Sequence, residues 1–338
     1  VSFREIAGHR PVLELLQRAV GRGTLPPSLI FAGPEGIGKR RTALALAQAL
    51  NCEQPVRSDA ADAASAAFDA CGTCGACSRI ARGIHADVLV IEPGDSGTIK
   101  VDQVRDAIDR AAYRPFEGRR RVVIVEDADA LLSEAQNALL KTLEEPPPAS
   151  VFVLITTRPD MLLPTVRSRC QRLRFGPLGA ADVAAVLMRD HEFSAADAKA
   201  AAAASDGSVG RALAEGGEDA RDVREAAARL LQTAAAGSDP RRRLDGAKAL
   251  VGGAGDRDEL GRRLLAMSSL LRDLGLLAAQ ADEHGLANAD LESQLRSLQR
   301  SYDADRALAA FAVVDKALAA LDRNASPKIV ADWVALHV

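Results

Sequence analysis

Aromatic residues make up only 3% of this chain, with one tryptophan and two tyrosines. A nucleic-acid reader is expected to interleave aromatics with a basic run, and no such stretch occurs. Positive charge is not in excess either: 43 Lys and Arg stand against 46 Asp and Glu, a formal net charge of −3. That balance argues against a protein that coats a polyanion by charge alone, while leaving room for a local basic face. No run of eighteen apolar residues is present, and no charged-then-apolar leader opens the chain at Val1-Ser2-Phe3-Arg4. Membrane spanning and secretion are both disfavoured on that ground. Cysteines number five, three of them crowded together. Such usage suits a reducing compartment and a metal better than a disulfide framework, so a cytoplasmic location is expected.

What is present describes a soluble globular protein: 48% hydrophobic and 26% charged residues over 338 positions. That length favours two or three domains. Alanine is abundant, and small apolar residues favour close-packed helices. Leu29-Ile30-Phe31-Ala32 reads as a buried strand that stops at Gly33 and opens onto a helix through Thr42–Ala47. Further strands read at Val88–Ile91, Val122–Val125, Val151–Thr156 and Gln171–Phe175, with helices at Val101–Ala112 and about Ser133–Glu144. Pro146-Pro147-Pro148 cannot continue a helix and closes the second of them. Unbroken apolar strands alternating with helices mean a parallel sheet of five strands with helices on both faces. From about Gly176 no strand pattern survives, and breaks fall at Gly216-Gly217, Gly237–Pro240 and Gly252–Gly255. The expected plan is an α/β nucleotide-type domain over 1–176, a small helical lid over 177–215 and an all-helical domain over 216–338.

Gly33-Pro34-Glu35-Gly36-Ile37-Gly38-Lys39-Arg40 fits the phosphate-loop pattern G-x-x-x-x-G-K-[ST] except at its last position. A hydroxyl there would ligate Mg²⁺, while the loop backbone and Lys39 hold the β- and γ-phosphates. A guanidinium has no lone pair for a metal and adds a positive charge beside it. Strand, glycine turn and helix flank the loop in the right order, so its architecture is a strong signal. Gly33, Gly38 and Lys39 are its candidate nucleotide contacts. The acidic pair after the third strand reads Glu126-Asp127, where Asp then Glu would hold Mg²⁺ and polarise water. The swap displaces each carboxylate by about 1.5 Å, one bond length, and misplacement on that scale can cost about a hundredfold in rate. Two metal-site positions are thus off pattern, and ATP with Mg²⁺ is expected to bind weakly or not at all.

Cys52, Cys71, Cys74 and Cys77 give C-x₁₈-C-x₂-C-x₂-C. The tight C-x₂-C spacings let four thiolates share one tetrahedral Zn²⁺, and four cysteines leave no open position, so the site would be structural. The long first gap, with Asp59-Ala60-Ala61-Asp62-Ala63-Ala64, reads as a surface loop inside an insertion over about 52–77. His85 is a reserve ligand, though a lone histidine near a strand start is more often structural. Ser168-Arg169-Cys170 follows the fourth strand and a short helix. By composition alone Arg169 would be an ordinary surface ion pair. Gly207-Ser208-Val209-Gly210-Arg211 lies between lid helices, where Ser208 can cap the next helix. Leu270, Leu271, Leu274, Leu276 and Leu277 form a face that is either a docking surface or internal core.

Together these stretches resemble the bacterial DNA polymerase III clamp loader, an AAA+ family, and within it the delta-prime branch. The matching residues are Gly33–Lys39, Cys52 with Cys71–Cys77, Thr98–Arg105, Val122–Leu132, Ala138–Pro147, Leu163–Cys170 and, loosely, Leu321–Lys328. The resemblance implies a ring with gamma/tau and delta subunits that opens a sliding clamp and closes it on primed DNA. It implies that Arg169 is an arginine finger, reaching a neighbour's γ-phosphate, and that 216–338 forms a collar. The gamma/tau branch carries Lys-Thr in its loop, Asp-Glu in its acidic pair and an arginine in the lid segment. Here stand Lys39-Arg40, Glu126-Asp127 and Gly210, all pointing to a non-hydrolysing delta-prime type. Two other readings stay open: an autonomous gamma/tau-type ATPase, supported by Lys39, and a zinc-dependent nucleic-acid-binding module with a vestigial phosphate loop.

Overall fold

The computed structural model of the chain describes residues 1–57, 68–94, 96–215, 218–236, 241, 243–245, 247, 257–280, 286, 288, 291–323 and 325–338. The expected loop at Asp59–Ala64 and the breaks at Gly216-Gly217, Gly237–Pro240 and Gly252–Gly255 lie outside the described residues. Residue contacts divide the molecule into two compact units, Val1–Asp182 and Val183–Val338.

In the first unit, five strands form one sheet: β1 (Ser28–Ala32), β4 (Val88–Ile91), β5 (Arg121–Val125), β6 (Ser150–Thr156) and β7 (Gln171–Arg174). Their spatial order is β4-β5-β6-β1-β7 and every pairing is parallel. Because strand side chains alternate between faces, Leu29, Phe31, Val122, Ile124, Val151 and Val153 enter one core. Ile30, Ala32, Val123, Val125, Phe152 and Leu154 enter the other. Helices α1 (Arg10–Arg22) and α2 (Lys39–Asn51) contribute to the first core, and α4 (Val101–Ala112) and α5 (Ser133–Glu144) to the second. The central strands β1, β5 and β6 are buried throughout, which is why they read as unbroken apolar runs.

A small hairpin, β2 (Val56–Arg57) with β3 (Phe68–Asp69), and α3 (Gly75–Ala81) follow α2. Asp69 ties this insertion to the start of the chain, accepting from the backbone N–H of Phe3 at 3.0 Å and of Arg4 at 3.1 Å. A deeper clamp is centred on Asp87. Its carboxylate accepts the N–H groups of Phe116, Glu117 and Gly118 at 2.7, 2.8 and 2.7 Å, and Arg121 Nη2 at 2.7 Å. Burial opposes the charge on Asp87, yet Arg121 and the three amides outweigh it and hold its pKa down at about 2.

The second unit is helical among its described residues, with helices Glu218–Ala236, Arg257–Ala278, Ala304–Asp322 and Pro327–His337. Leu270, Leu271, Leu274 and Leu277 belong to its core and Leu276 packs against it. That settles the leucine face in favour of internal core: these side chains are covered by the chain's own helices. Among the described residues no helix is long and apolar enough to cross a membrane.

Candidate functional site

The carboxyl ends of β4, β5, β6 and β1 lie side by side, the edge where open parallel sheets place their ligands. The phosphate loop leaves β1 there. A Cβ on Gly33 would come within 2.2 Å of the Phe175 carbonyl oxygen, so only glycine lets the loop pass the end of β7. Gly38 caps α2 with φ 98°, a left-handed conformation that side chains resist. The N-terminus of α2 is thereby aimed into the loop, as phosphate binding requires.

The side chains in this loop are already committed. Lys39 folds back and donates from Nζ to the carbonyl oxygens of Gly33 at 2.8 Å and Pro34 at 2.5 Å. Burial lowers its pKa, with Glu35, Asp127 and Asp129 pulling the other way. Arg40 lies across the strand ends: Nε is 2.8 Å from Glu126 Oε1, Nη1 donates to Glu126 Oε2 at 3.1 Å, and Nη2 is 3.0 Å from Glu92 Oε1. Burial raises the pKa of Glu126, assisted by Glu92 and Asp127 and opposed by Arg40. Asp127 follows with a left-handed backbone, φ 44° and ψ 51°, before a short 3₁₀ turn at Ala128–Ala130.

Magnesium demands hard oxygen ligands in near-octahedral array. The residues that should supply them do not fit: the hydroxyl position is a cation, and the carboxylate opposite is bound to that cation. The two positions that would share the ion are paired with each other instead.

Sequence reasoning missed two neighbours of the loop. His9 donates from Nε2 to the Ile37 carbonyl at 2.8 Å and sits edge-on to Phe175 with ring centroids 4.9 Å apart. The carbonyl can only accept, which fixes the tautomer, and burial lowers the pKa of the ring. Asp129 accepts from Thr156 Oγ1 at 2.7 Å and Arg158 Nε at 3.0 Å. Burial would raise the Asp129 pKa, but those two bonds bring it below the usual value. The signal for Asp129 was its position three residues after Glu126, at the mouth of the same sheet edge.

The four cysteines converge. Their Sγ atoms all lie within 4.8 Å of one another, with Cys52–Cys74 and Cys71–Cys77 each at 4.0 Å. Sulfurs about 2.3 Å from a tetrahedral zinc would stand about 3.8 Å apart, so the thiols fit a metal ion of that kind. A disulfide would need about 2.05 Å. Backbone N–H groups of Cys71, Cys74 and Cys77 point at Cys52, Cys71 and Cys74 sulfurs at 3.2, 3.3 and 3.5 Å. Burial resists ionisation of Cys71, but N–H bonds from Cys74 and Thr73 bring its pKa to about 6. The other end of the cluster is pushed up, Cys52 and Cys77 both by burial. His85 is not one of the group: its Nδ1 accepts the Asp87 N–H at 3.1 Å.

Arg169 lies elsewhere. It precedes β7, whose Gln171 pairs with Leu29 at the amino end of β1. The phosphate loop opens at Gly33, ~13 Å farther along the strand at about 3.3 Å per residue. Arg169 donates from Nη1 to the Thr165 carbonyl at 2.9 Å and from Nη2 to Glu144 Oε1 at 2.5 Å, with its side chain 29% exposed. Cys170 beside it is buried, which pushes its pKa up to about 12.

The family model described as DNA polymerase III, delta subunit, matches residues 8–179, about half of the chain. DNA polymerase III subunit gamma/tau of Mycobacterium bovis is 33% identical over 188 residues, 56% of this chain and 31% of that protein. Subunit delta' of Pseudomonas aeruginosa is 38% identical over 151 residues, 44% of this chain and 43% of that protein. The matched segments thus span less than half the length of these relatives. A solved DNA polymerase III gamma subunit-related protein from Thermotoga maritima covers 96% of this chain and 98% of its own, at 20% identity and TM-score 0.44. The all-parallel strand order β4-β5-β6-β1-β7 defines the fold by itself.

Proposed function

The chain belongs to the family described as DNA polymerase III, delta subunit, and from that premise we propose that it is a delta-prime-type clamp-loader subunit that hydrolyses no nucleotide itself. On this reading Arg169 completes the ATP site of an adjacent gamma/tau-type subunit, in a ring that also holds a delta subunit and places a sliding clamp on primed DNA. The segment 177–215 acts as lid, 216–338 as collar, and the four cysteines hold a structural Zn²⁺. The cytoplasm is where such an assembly works.

One observation carries the reading: Arg169 lies beyond the amino end of β7, the strand beside β1, whereas its own phosphate loop opens at the carboxyl end of β1. A guanidinium there cannot serve the nucleotide of its own chain, whereas it can serve a neighbour's. Its bonds to Thr165 O and Glu144 hold it in one place while leaving it partly exposed. An arginine delivered in trans is worth about 10³–10⁵ in phosphoryl-transfer turnover. The experiment is reconstitution of the complex with Arg169→Ala. Clamp-stimulated ATPase at the adjacent site should fall by about that factor, with the thermal midpoint of the isolated chain unchanged. Full turnover with the alanine chain in place would remove Arg169 from the reaction.

A further inference from the structure

The two positions that share Mg²⁺ in a working phosphate-loop site, the residue after the lysine and the first acidic residue after the third core strand, here hold each other. Arg40 follows Lys39 and Glu126 follows β5, and their side chains meet through two nitrogen–oxygen contacts at 2.8 and 3.1 Å. The guanidinium thus sets its positive charge against both oxygens of one carboxylate. The third nitrogen reaches Glu92 at the end of β4, 3.0 Å away. One cation therefore spans two carboxylates that come from adjacent strand ends.

We propose that Arg40 is a built-in counter-ion standing in for the divalent cation, so that this site carries no Mg²⁺ and its acidic residues become a metal site only when the arginine is removed. The chemistry is that of substitution of charge. Glu126 is largely buried, its side chain 15% exposed, and a buried carboxylate needs a cation or a proton. A metal would supply that cation from solution, whereas Arg40 supplies it from the chain. A divalent ion approaching Glu126 would have to displace a guanidinium held at two points, and would feel its charge throughout. The inference holds whichever polymerase III subunit type the chain is, so a failed test of Arg169 leaves it standing.

The test uses Mn²⁺ alone as probe, titrated into the full chain while the free-ion signal is followed by electron paramagnetic resonance. Mn²⁺ is a hard ion with little affinity for the thiolates of the cysteine cluster. The parent chain should bind no Mn²⁺ at this edge. Arg40→Thr should bind one ion, with affinity raised by on the order of a hundredfold, the scale on which altered ligand surroundings change metal binding. Adding Glu126→Asp to that variant should tighten it further, and Arg40→Lys, which keeps the charge, should behave as the parent. Arg40 is half exposed, so these variants leave the core intact, which an unchanged thermal midpoint in chelator verifies. Tight Mn²⁺ binding by the parent would overturn the proposal. So would Arg40→Thr remaining indifferent to the ion, or Arg40→Lys gaining a site.

Discussion

Helix α2 begins at one ion-type site and ends at another, and the two have gone opposite ways. At its amino end Arg40 fills the place of a cation and is paired with Glu126 and Glu92. At its carboxyl end Cys52 meets three more thiols at separations suited to a shared metal. The difference lies in what each set of ligands can do without an ion. Two carboxylates can be neutralised by one well-placed side chain. Four clustered thiols have no such partner among the described residues, and their backbone N–H bonds already favour thiolate at Cys71. One end is neutralised by a side chain of the sequence itself, and the other has the spacing that a metal ion would fit.

That contrast breaks most readily at the cysteine end. Cys52→Ala, or stripping zinc with a chelator, should cost about 4 kcal/mol or more, the range of a lost metal, and lower the midpoint by roughly 10 °C. Calorimetry with metal analysis checks this, and an unchanged midpoint in a metal-free chain would mean that the thiols are mere packing.

Next in size is the Asp87 clamp, a fully buried counterpart to the half-exposed Arg40 pair. Removing one partner of such a pair leaves the other uncompensated, so Asp87→Ala should cost about 3–5 kcal/mol at neutral pH. The folded pKa of Asp87, about 2, lies below its unfolded value near 3.8. The unfolded chain therefore takes up the proton first as acid is added. The contribution of Asp87 is fully present above pH ~4 and lost as pH falls through about 2. Acid titrations of stability should show a shallower slope in that window for Asp87→Ala, and an identical slope would assign the acid limb to other carboxylates.

The smallest change belongs to the filled site. Glu126→Gln removes the charge that Arg40 faces, and because Arg40 is half exposed, the cost should be within about 1 kcal/mol. Urea titration of the variant measures it. A loss of several kcal/mol would make the pair a structural keystone and blunt the contrast with the cysteine end.

Much of the first unit was legible in the sequence. Val88–Ile91, Val101–Ala112 and Ser133–Glu144 match their observed ends, since apolar runs and three-four spacing record burial directly. Helix α1 escapes that reading although Pro11 and the spacing of Val12, Leu13, Leu16, Ala19 and Val20 announce it. Strands of two residues, as in the β2–β3 hairpin, carry too little pattern to find. The four cysteines and the missing hydroxyl at Arg40 are plain from spacing. That Arg40 and Glu126 touch is not, because they lie 86 residues apart and only the β5-β6-β1 order brings them together. Nor can periodicity decide whether Leu270 and its neighbours face a partner or the interior, since both bury the same stripe.

The central claim is that the chain keeps the frame of a nucleotide site and has surrendered its chemistry. Steady-state ATP hydrolysis by the purified chain alone, in excess Mg²⁺ and compared with Lys39→Ala, addresses it most directly. The account predicts background turnover that Lys39→Ala leaves unaltered. Magnesium-dependent turnover that disappears with Lys39→Ala would contradict it.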